Sequence, residues 1–174
     1  MPSDVALVKI REASLKDLKG ITEIYNHAII HGVATFDTEP KTVEEQKKWF
    51  KEHGSKNPII VAEKDKEIVG FASLSKYSTR CAYSDTAEIS LYVKEEYQGR
   101  GIGKQLIKEI VKKGEKAGLH AIIARITEGN KISVHLHESV GFQHVGVFKE
   151  VGHKFGKRLD VYLMEKIYKG DGIN

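Results

Sequence analysis

Cysteine, proline and long hydrophobic runs are scarce in this chain, and each shortage narrows what the protein can be. The single Cys81 has no partner for an internal disulfide, which favours a reducing compartment, and we expect the cytoplasm. No apolar stretch has the length of a membrane span, and no signal peptide is recognisable, so we expect neither membrane insertion nor secretion.

Charge of one sign is not concentrated anywhere along the chain. The 28 Lys and Arg residues and the 24 Asp and Glu residues are interspersed and leave a net charge of +4. Nucleic-acid binding is therefore not indicated. The eight His residues are scattered as well. Because His135 and His137 do not share a helix face, we expect no metal site.

The most informative motif is the glycine-rich segment Gln-Gly-Arg-Gly-Ile-Gly-Lys at residues 98–104. It follows a strand-like run and opens a helix-like run, so several backbone N–H groups would be free to bind a phosphate. The mobile cations of Arg100 and Lys104 would add to this, and Gly101 and Gly103 would let the backbone approach the anion. The spacing matches neither a P-loop nor a dinucleotide fingerprint. A glycine-rich turn without a ligand is the alternative.

Periodicity predicts one α/β domain, which we take as residues 1–174 with a core of about residues 8–167. The predicted order is β-α-α-β-β-β-α-β-α-β-β, starting with a strand at residues 5–11. Ser14 and Thr42 are expected to cap the first two helices. Lys64-Asp65-Lys66 is expected to be a tight turn between two strands. Residues 154–160, polar and Gly-bearing, are expected to form an elaborate loop rather than a strand.

Four segments together resemble one enzyme family. Gln98-x-x-Gly101-x-Gly103 resembles the pyrophosphate loop of the GCN5-related N-acetyltransferases. The other three segments resemble signatures of its phosphinothricin and L-amino acid acetyltransferase branch. They are Ile24-Tyr25-Asn26-His27 with residues 34–40, Asn130 to Gly141-Phe142, and residues 151–156 with Asp160-Val161. Leu159 departs from the branch, which often has Trp there, and this leaves the exact acceptor open. The resemblance implies a mixed, mostly antiparallel sheet flanked by helices, and a homodimer.

The resemblance also implies acetyl-coenzyme A as co-substrate. Backbone groups of a splayed strand would hold the pantetheine arm, and Asn130 and Ser133 would assist from the next helix. Asn130 could equally be a simple helix N-cap, and Tyr92 an ordinary strand aromatic. The residues so implied to bind the co-substrate are Leu91, Tyr92, Val93, Gln98, Gly99, Arg100, Gly101, Ile102, Gly103, Lys104, Asn130 and Ser133.

Two residues are candidates for proton transfer. Glu88 shares a strand face with Ser90, in a run that is otherwise small or apolar, and it matches a family glutamate. A carboxylate beside an apolar wall would have a raised proton affinity, which suits a general base. The alternative is a solvent-exposed edge carboxylate. His137 matches a family histidine proposed to assist catalysis. The alternative is a histidine that packs at a helix end.

The acceptor pocket is the least determined part of the site. An amino-acid acceptor carries a carboxylate, so a positive group should face it. The resemblance implies that three segments lie near the acceptor, and they supply Phe36, Arg80, Tyr83, Lys154 and Arg158.

The leading hypothesis is acetylation of the α-amino group of a small amino acid or analogue, such as phosphinothricin or methionine sulfone or sulfoximine. The first alternative is another amine acceptor, namely a polyamine, an aminoglycoside or a protein N-terminus. The second is a non-catalytic acyl-coenzyme A sensor. The presence of Glu88 favours an enzyme.

Overall fold

The computed structural model describes residues 7–170, which contain seven strands and four α-helices. No helix in this range is long and apolar enough to span a membrane. In chain order the elements are β1 Lys9–Glu12, α1 Leu18–His31, α2 Val43–Lys51, β2 Ile59–Lys64, β3 Glu67–Lys76, β4 Thr86–Val93, α3 Ile102–Lys116, β5 Ala121–Thr127, α4 Lys131–Ser139, β6 Gln143–Lys154 and β7 Lys157–Ile167.

The strands form one mixed sheet in the order β1-β2-β3-β4-β5-β7-β6. Only β4 and β5 pair in parallel; the other neighbours within residues 7–170 are antiparallel. The predicted order of elements and the mostly antiparallel sheet flanked by helices are thus confirmed.

Helices cover the two faces of the sheet unequally. The main core forms between one face and α3, which buries Ile102, Leu106, Ile107 and Ile110 against β2, β3 and β4. A smaller cluster joins α1 to β2 and β3 on the opposite face, which we call the α1 face. Ala87 and Ile89 of β4 belong to the main core. Because successive strand residues point to opposite faces, Glu88 and Tyr92 lie on the α1 face.

Local sequence signals explain the starts of the helices and one hairpin. The Asp17 carboxylate accepts from the Ser14 N–H at 2.7 Å, and a 3-10 turn at Leu15–Asp17 leads into α1. Thr42 and Glu45 bond reciprocally as a capping box at the start of α2. Asp65 and Lys66 both have positive φ, as a two-residue hairpin turn requires. The Thr42 cap and the hairpin turn are confirmed, whereas Ser14 begins the 3-10 turn and the N-cap residue of α1 itself is Asp17.

Two boundary predictions differ from the structure. The first strand begins at Lys9, and positions 5 and 6 of the predicted strand lie outside the described residues. The elaborate loop expected at residues 154–160 is wrong, because β6 and β7 continue into a regular hairpin. Phe155 and Gly156, with φ of 51° and 71°, form its two-residue turn. β6 also contains a bulge, in which Glu150 has φ of 55°, and the bulge interrupts the regular alternation of residues along the strand.

Candidate active site

A gap opens in the middle of the sheet where β4 and β5 diverge. The two strands pair only over Thr86–Glu88 and Ala121–Ile123, so residues 89–93 have no partner on that side. The Lys94 N–H donates to the Val69 carbonyl of β3. Alternation along the strand therefore turns the backbone groups of Leu91 and Val93 toward the gap, and those of Tyr92 toward β3. Within residues 7–170, the backbone groups of Leu91 and the N–H of Val93 therefore face the gap without a strand partner, whereas those of Tyr92 face β3. Binding of the pantetheine arm by this strand stays a prediction.

The glycine loop lies at the end of this gap. Gly99 and Gly101 have φ of 74° and 83°, a left-handed conformation that glycine adopts without strain. Gly101 is the N-cap of α3, and its carbonyl accepts the Gln105 N–H. The preceding N–H groups in the first turn have no intrahelical acceptor and remain available to an anion.

Three of the predicted loop residues have contacts of their own within the protein. Gln98 Nε2 donates to the Val93 carbonyl at 3.0 Å, which closes the loop onto the end of β4. The Arg100 guanidinium lies 5.4 Å from the centre of the Tyr97 ring. A Cβ at Gly103 would meet Leu136 Cδ1 at 3.2 Å, so the missing side chain makes room for α4, and the role of Gly103 in binding the co-substrate stays a prediction.

Asn130 caps α4 at the other side of the gap. Its Oδ1 accepts the Ser133 N–H at 3.2 Å, so the N-cap alternative is confirmed. The cap uses only the carbonyl oxygen of the amide. Nδ2 makes no hydrogen bond within residues 7–170, which leaves it free to bind a ligand.

Glu88, the candidate base, is held by an ion pair with Arg125 of β5. Arg125 Nε donates to Glu88 Oε1 at 2.8 Å, and Nη2 donates to Oε2 at 2.9 Å. The apolar wall expected beside Glu88 is therefore wrong, since a guanidinium stands there. The two-point contact fixes both carboxylate oxygens at the last paired rung of β4 and β5, where the gap begins. The Glu88 side chain is 23% exposed and remains accessible.

His137, the second candidate, has the surroundings of a packing residue. It is buried, and its ring meets Phe142 edge-on with 5.0 Å between the ring centres. Nδ1 lies 2.7 Å from the Ser133 carbonyl, which requires Nδ1 to carry a proton as donor. Burial lowers the pKa of His137, against the opposing effect of this hydrogen bond. The imidazole is therefore neutral near pH 7, a form poorly suited to donate a proton to a leaving thiolate.

The loop after α1 lies over the far end of the α1 face and meets the β6–β7 hairpin. Lys154 is 5% exposed and donates from Nζ to the Thr35 carbonyl at 2.8 Å. Thr127 Oγ1 donates to the Val33 carbonyl at 2.6 Å. The Phe36 ring lies on Gly152, where a Cβ would meet two ring carbons at 2.3 Å. The hairpin therefore positions Phe36, and Lys154 serves as a structural contact for the loop.

A polar network continues from this loop to the sheet. The Tyr25 hydroxyl bonds to the Asp37 carboxylate and lies 3.0 Å from Thr35 Oγ1. The Tyr25 ring meets Tyr92 edge-on, with 5.4 Å between the ring centres. Burial raises the pKa of Tyr92 to about 12, so its phenol stays protonated at neutral pH. The network fixes the loop above the gap between β4 and β5.

The remaining predicted acceptor residues are not joined to this cluster by contacts. Tyr83 lies in the loop between β3 and β4, edge-on to Tyr77, with Arg80 before it. Arg158 is exposed opposite His153 in the hairpin. Within residues 7–170, no hydrogen bond or ion pair connects Arg80 or Arg158 to Glu88, Phe36 or Lys154. Their role in acceptor binding stays a prediction.

Sequence reasoning missed Arg125 and Gly152. Arg125 interrupts the otherwise apolar run Ile-Ile-Ala-Arg-Ile of β5, and a single charge in such a run was the available signal. For Gly152 no local signal exists, because its neighbour Phe36 is far away in sequence.

Comparison with known proteins agrees with this geometry. Residues 20–142 match the model of the acetyltransferase (GNAT) family. The chain is 37% identical over 165 residues to phosphinothricin N-acetyltransferase of Streptomyces coelicolor, covering 92% of this chain and 96% of that protein. It is 34% identical over 158 residues to the L-methionine sulfoximine/L-methionine sulfone acetyltransferase of Pseudomonas paraeruginosa, covering 90% and 92%.

A solved structure is similarly close. The phosphinothricin acetyltransferase of Sinorhizobium meliloti, determined in complex with AcCoA, is 34% identical with a TM-score of 0.89, and the match covers 92% of this chain and 88% of that one. The fold, the divergent central strands and these matches define an acetyltransferase. The chain belongs to the acetyltransferase (GNAT) family.

Proposed function

We propose that this protein transfers the acetyl group of acetyl-coenzyme A to the α-amino group of a small amino acid or analogue. The acceptors we have in mind are those for which its relatives are named: phosphinothricin, methionine sulfone and methionine sulfoximine. The observation that carries the proposal is the position of Glu88, accessible and held by Arg125, at the point where β4 and β5 separate.

Acetyl-coenzyme A is the co-substrate and supplies the reactive thioester. The first turn of α3 and the loop at residues 98–104 hold its pyrophosphate, since the first N–H groups of a helix have no acceptor within the helix and can bind an anion. Leu91, Val93 and the Asn130 side-chain amide take the pantetheine arm along the gap. A Leu91 or Val93 N–H directed at the thioester carbonyl oxygen would stabilise the charge that develops there.

Glu88 acts as the general base. An amino acid arrives largely as an ammonium ion, and Glu88 accepts its proton directly or through water. The amine nitrogen then forms a bond to the carbonyl carbon, the carbon–sulfur bond breaks, and the electron pair leaves with the coenzyme A thiolate. The thiolate takes up the extra proton that the nitrogen carries after the attack, so the products are the amide and the coenzyme A thiol. We assign this role to Glu88 rather than to His137, because Glu88 is accessible and His137 is buried against Phe142.

A thiol-release assay with acetyl-coenzyme A tests the proposed acceptor class. We expect thiol release with L-methionine sulfone, L-methionine sulfoximine or phosphinothricin at concentrations where spermidine, an aminoglycoside and an alanine-initiated peptide give only background. Preference for one of the latter three would replace the amino-acid assignment with the corresponding amine class. Release with none of them, together with tight acetyl-coenzyme A binding, would favour a sensor.

We also propose a homodimer that forms through β6. This strand is at the edge of the sheet, and residues 143–151 are exposed along their whole length, including Val145, Val147 and Phe148. A long, apolar edge strand readily pairs with another chain. Ultracentrifugation should give about twice the 19.5 kDa chain mass. Val147→Lys should shift it to the monomer, whereas Ile30→Lys, a control on α1, should not. A wild-type monomer at micromolar concentration would contradict the dimer.

The lone cysteine keeps the cytoplasm as the proposed location.

A further inference from the structure

Arg125 lies next to Glu88 and has no part in the transfer chemistry assigned above. It is in β5, two residues beyond the last rung that pairs with β4. Because Ile122, Ala124 and Ile126 are buried in the main core, alternation places Arg125 on the α1 face, beside the gap. Its side chain is 57% exposed. An exposed arginine at this position is accessible to an entering acceptor.

The ion pair with Glu88 uses only part of the hydrogen-bonding capacity of Arg125. A guanidinium carries five N–H donors, and two of them point at the Glu88 carboxylate. No other hydrogen bond to this side chain is present within residues 7–170. The remaining N–H groups of Nη1 and Nη2 form a second fork that can bind another carboxylate while Glu88 stays in place.

Glu88 and Arg125 together form a surface complementary to an α-amino acid. In such an acceptor the amino group and the carboxylate are bonded to the same carbon atom. The Glu88 carboxylate and the Arg125 guanidinium are also direct neighbours, with 2.8 Å between Nε and Oε1. An amino group that approaches Glu88 would therefore place its carboxylate beside the free side of the guanidinium. A polyamine or an aminoglycoside, which has no carboxylate, would meet an unfavourable cation instead.

We propose that Arg125 binds the α-carboxylate of the acceptor and so selects α-amino acids over other amines. This inference rests on the proposed function and names the residue that determines its acceptor class. Arg125 is thus a specificity residue, with Glu88 orienting its guanidinium. Arg80, Lys154 and Arg158 were the cations expected from the sequence. Lys154 is buried and bonded to the Thr35 carbonyl, and within residues 7–170 no hydrogen bond or ion pair joins Arg80 or Arg158 to Glu88.

A purely structural role for Arg125 predicts different behaviour. If the ion pair only fixed the spacing between β4 and β5, its loss would disturb the gap and raise the KM for acetyl-coenzyme A. It would also weaken acceptors with and without a carboxylate alike. The two roles therefore separate when an amino acid is compared with its own amide, because both have the same amino group and side chain.

The test compares kcat/KM for L-methionine sulfone and L-methionine sulfone amide in wild type, Arg125→Ala and Arg125→Lys. We expect Arg125→Ala to lower the acid-to-amide ratio about 10- to 100-fold, as loss of a hydrogen bond between charged groups predicts. Any change in Glu88 affects both acceptors and cancels in the ratio. Arg125→Lys, which keeps the charge without the fork, should fall between. Lys113→Ala is the matched control. It breaks an ion pair between α3 and Glu12 of β1, away from the gap, and should leave the ratio unchanged.

An unchanged ratio in Arg125→Ala would overturn the inference while leaving the proposed function intact. The inference would also be overturned if Arg80→Ala or Arg158→Ala, rather than Arg125→Ala, selectively lowered kcat/KM for the acid. If the wild type acetylated neither the acid nor its amide, the proposed function would fail first, and the carboxylate assignment with it.

Discussion

The contact of Gly152 with Phe36 gives a sharp prediction about the acceptor loop. In Gly152→Ala, the new Cβ would lie 2.3 Å from Phe36 Cε2 and Cζ. Non-bonded carbons prefer about 3.5–4.0 Å, so the ring has to move by about 1 Å or more. The backbone of Gly152 is not in the left-handed region, so alanine adds no torsional strain and the whole effect comes from the ring.

The size of the effect depends on where the ring can go. Overpacking costs about 1–3 kcal/mol, and because Phe36 is 37% exposed it can swing toward solvent, so we expect about 1 kcal/mol. For a chain of this length that lowers Tm by about 2–4 °C. We expect the KM for the acceptor to rise about 5- to 10-fold, equivalent to about 1–1.4 kcal/mol, with the KM for acetyl-coenzyme A unchanged.

Gly54→Ala is the matched control for this substitution. Gly54 is in the loop after α2, outside the proposed dimer strand, and a Cβ there meets nothing within 4 Å, so neither Tm nor KM should change. In the double variant Phe36→Ala/Gly152→Ala the clash is gone, and the loss of Tm should be smaller than the sum of the single losses. Wild-type acceptor kinetics in Gly152→Ala, or additive losses of Tm, would refute the role of this contact.

Three further predictions concern the glycine loop, the base and the buried histidine. Gly101→Val should raise the KM for acetyl-coenzyme A strongly, whereas Gly118→Val, equally strained at φ 81° but at the other end of α3, should cost stability without that change; equal KM values would contradict the loop assignment. Glu88→Gln should lower kcat by about 10²–10⁴-fold, and by less at high pH, where more of the amine arrives neutral. Glu12→Gln is the control and should leave kcat unchanged. A loss of kcat that does not depend on pH would mean that Glu88 only shapes the acceptor pocket. Because burial lowers the pKa of His137, its stabilising contribution is complete above about pH 6.5 and is lost as the pH falls below it. His137→Leu should therefore reduce the acid-side slope of the unfolding free energy by up to about 1.4 kcal/mol per pH unit, and an unchanged slope would argue against a buried neutral imidazole.

Local sequence signals predicted the parts of the fold that local physics determines. The Thr42 capping box and the Asp65-Lys66 turn each depend on residues within a few positions of one another. Long-range partners could not be read in this way. Lys154 looked like an exposed cation because its acceptor, the Thr35 carbonyl, is 119 residues away.

The candidate site shows the same division. The position of Glu88 on the α1 face followed from alternation in β4, but its neighbour Arg125 comes from another strand, 37 residues later. The hairpin at β6 and β7 was mistaken for a loop because β6 is an exposed edge strand with a bulge, so its residues do not alternate between buried and exposed.

The most direct test of the account is to identify the atom that receives the acetyl group. The protein is incubated with acetyl-coenzyme A labelled with ¹³C at the acetyl carbonyl, together with L-methionine sulfone, and the product is analysed by NMR. We predict a labelled amide on the α-nitrogen, formed catalytically by the wild type and greatly slowed in Glu88→Gln. A label found only on the protein itself, or no transfer to any α-amino acid while polyamines or peptides are acetylated, would contradict the assignment.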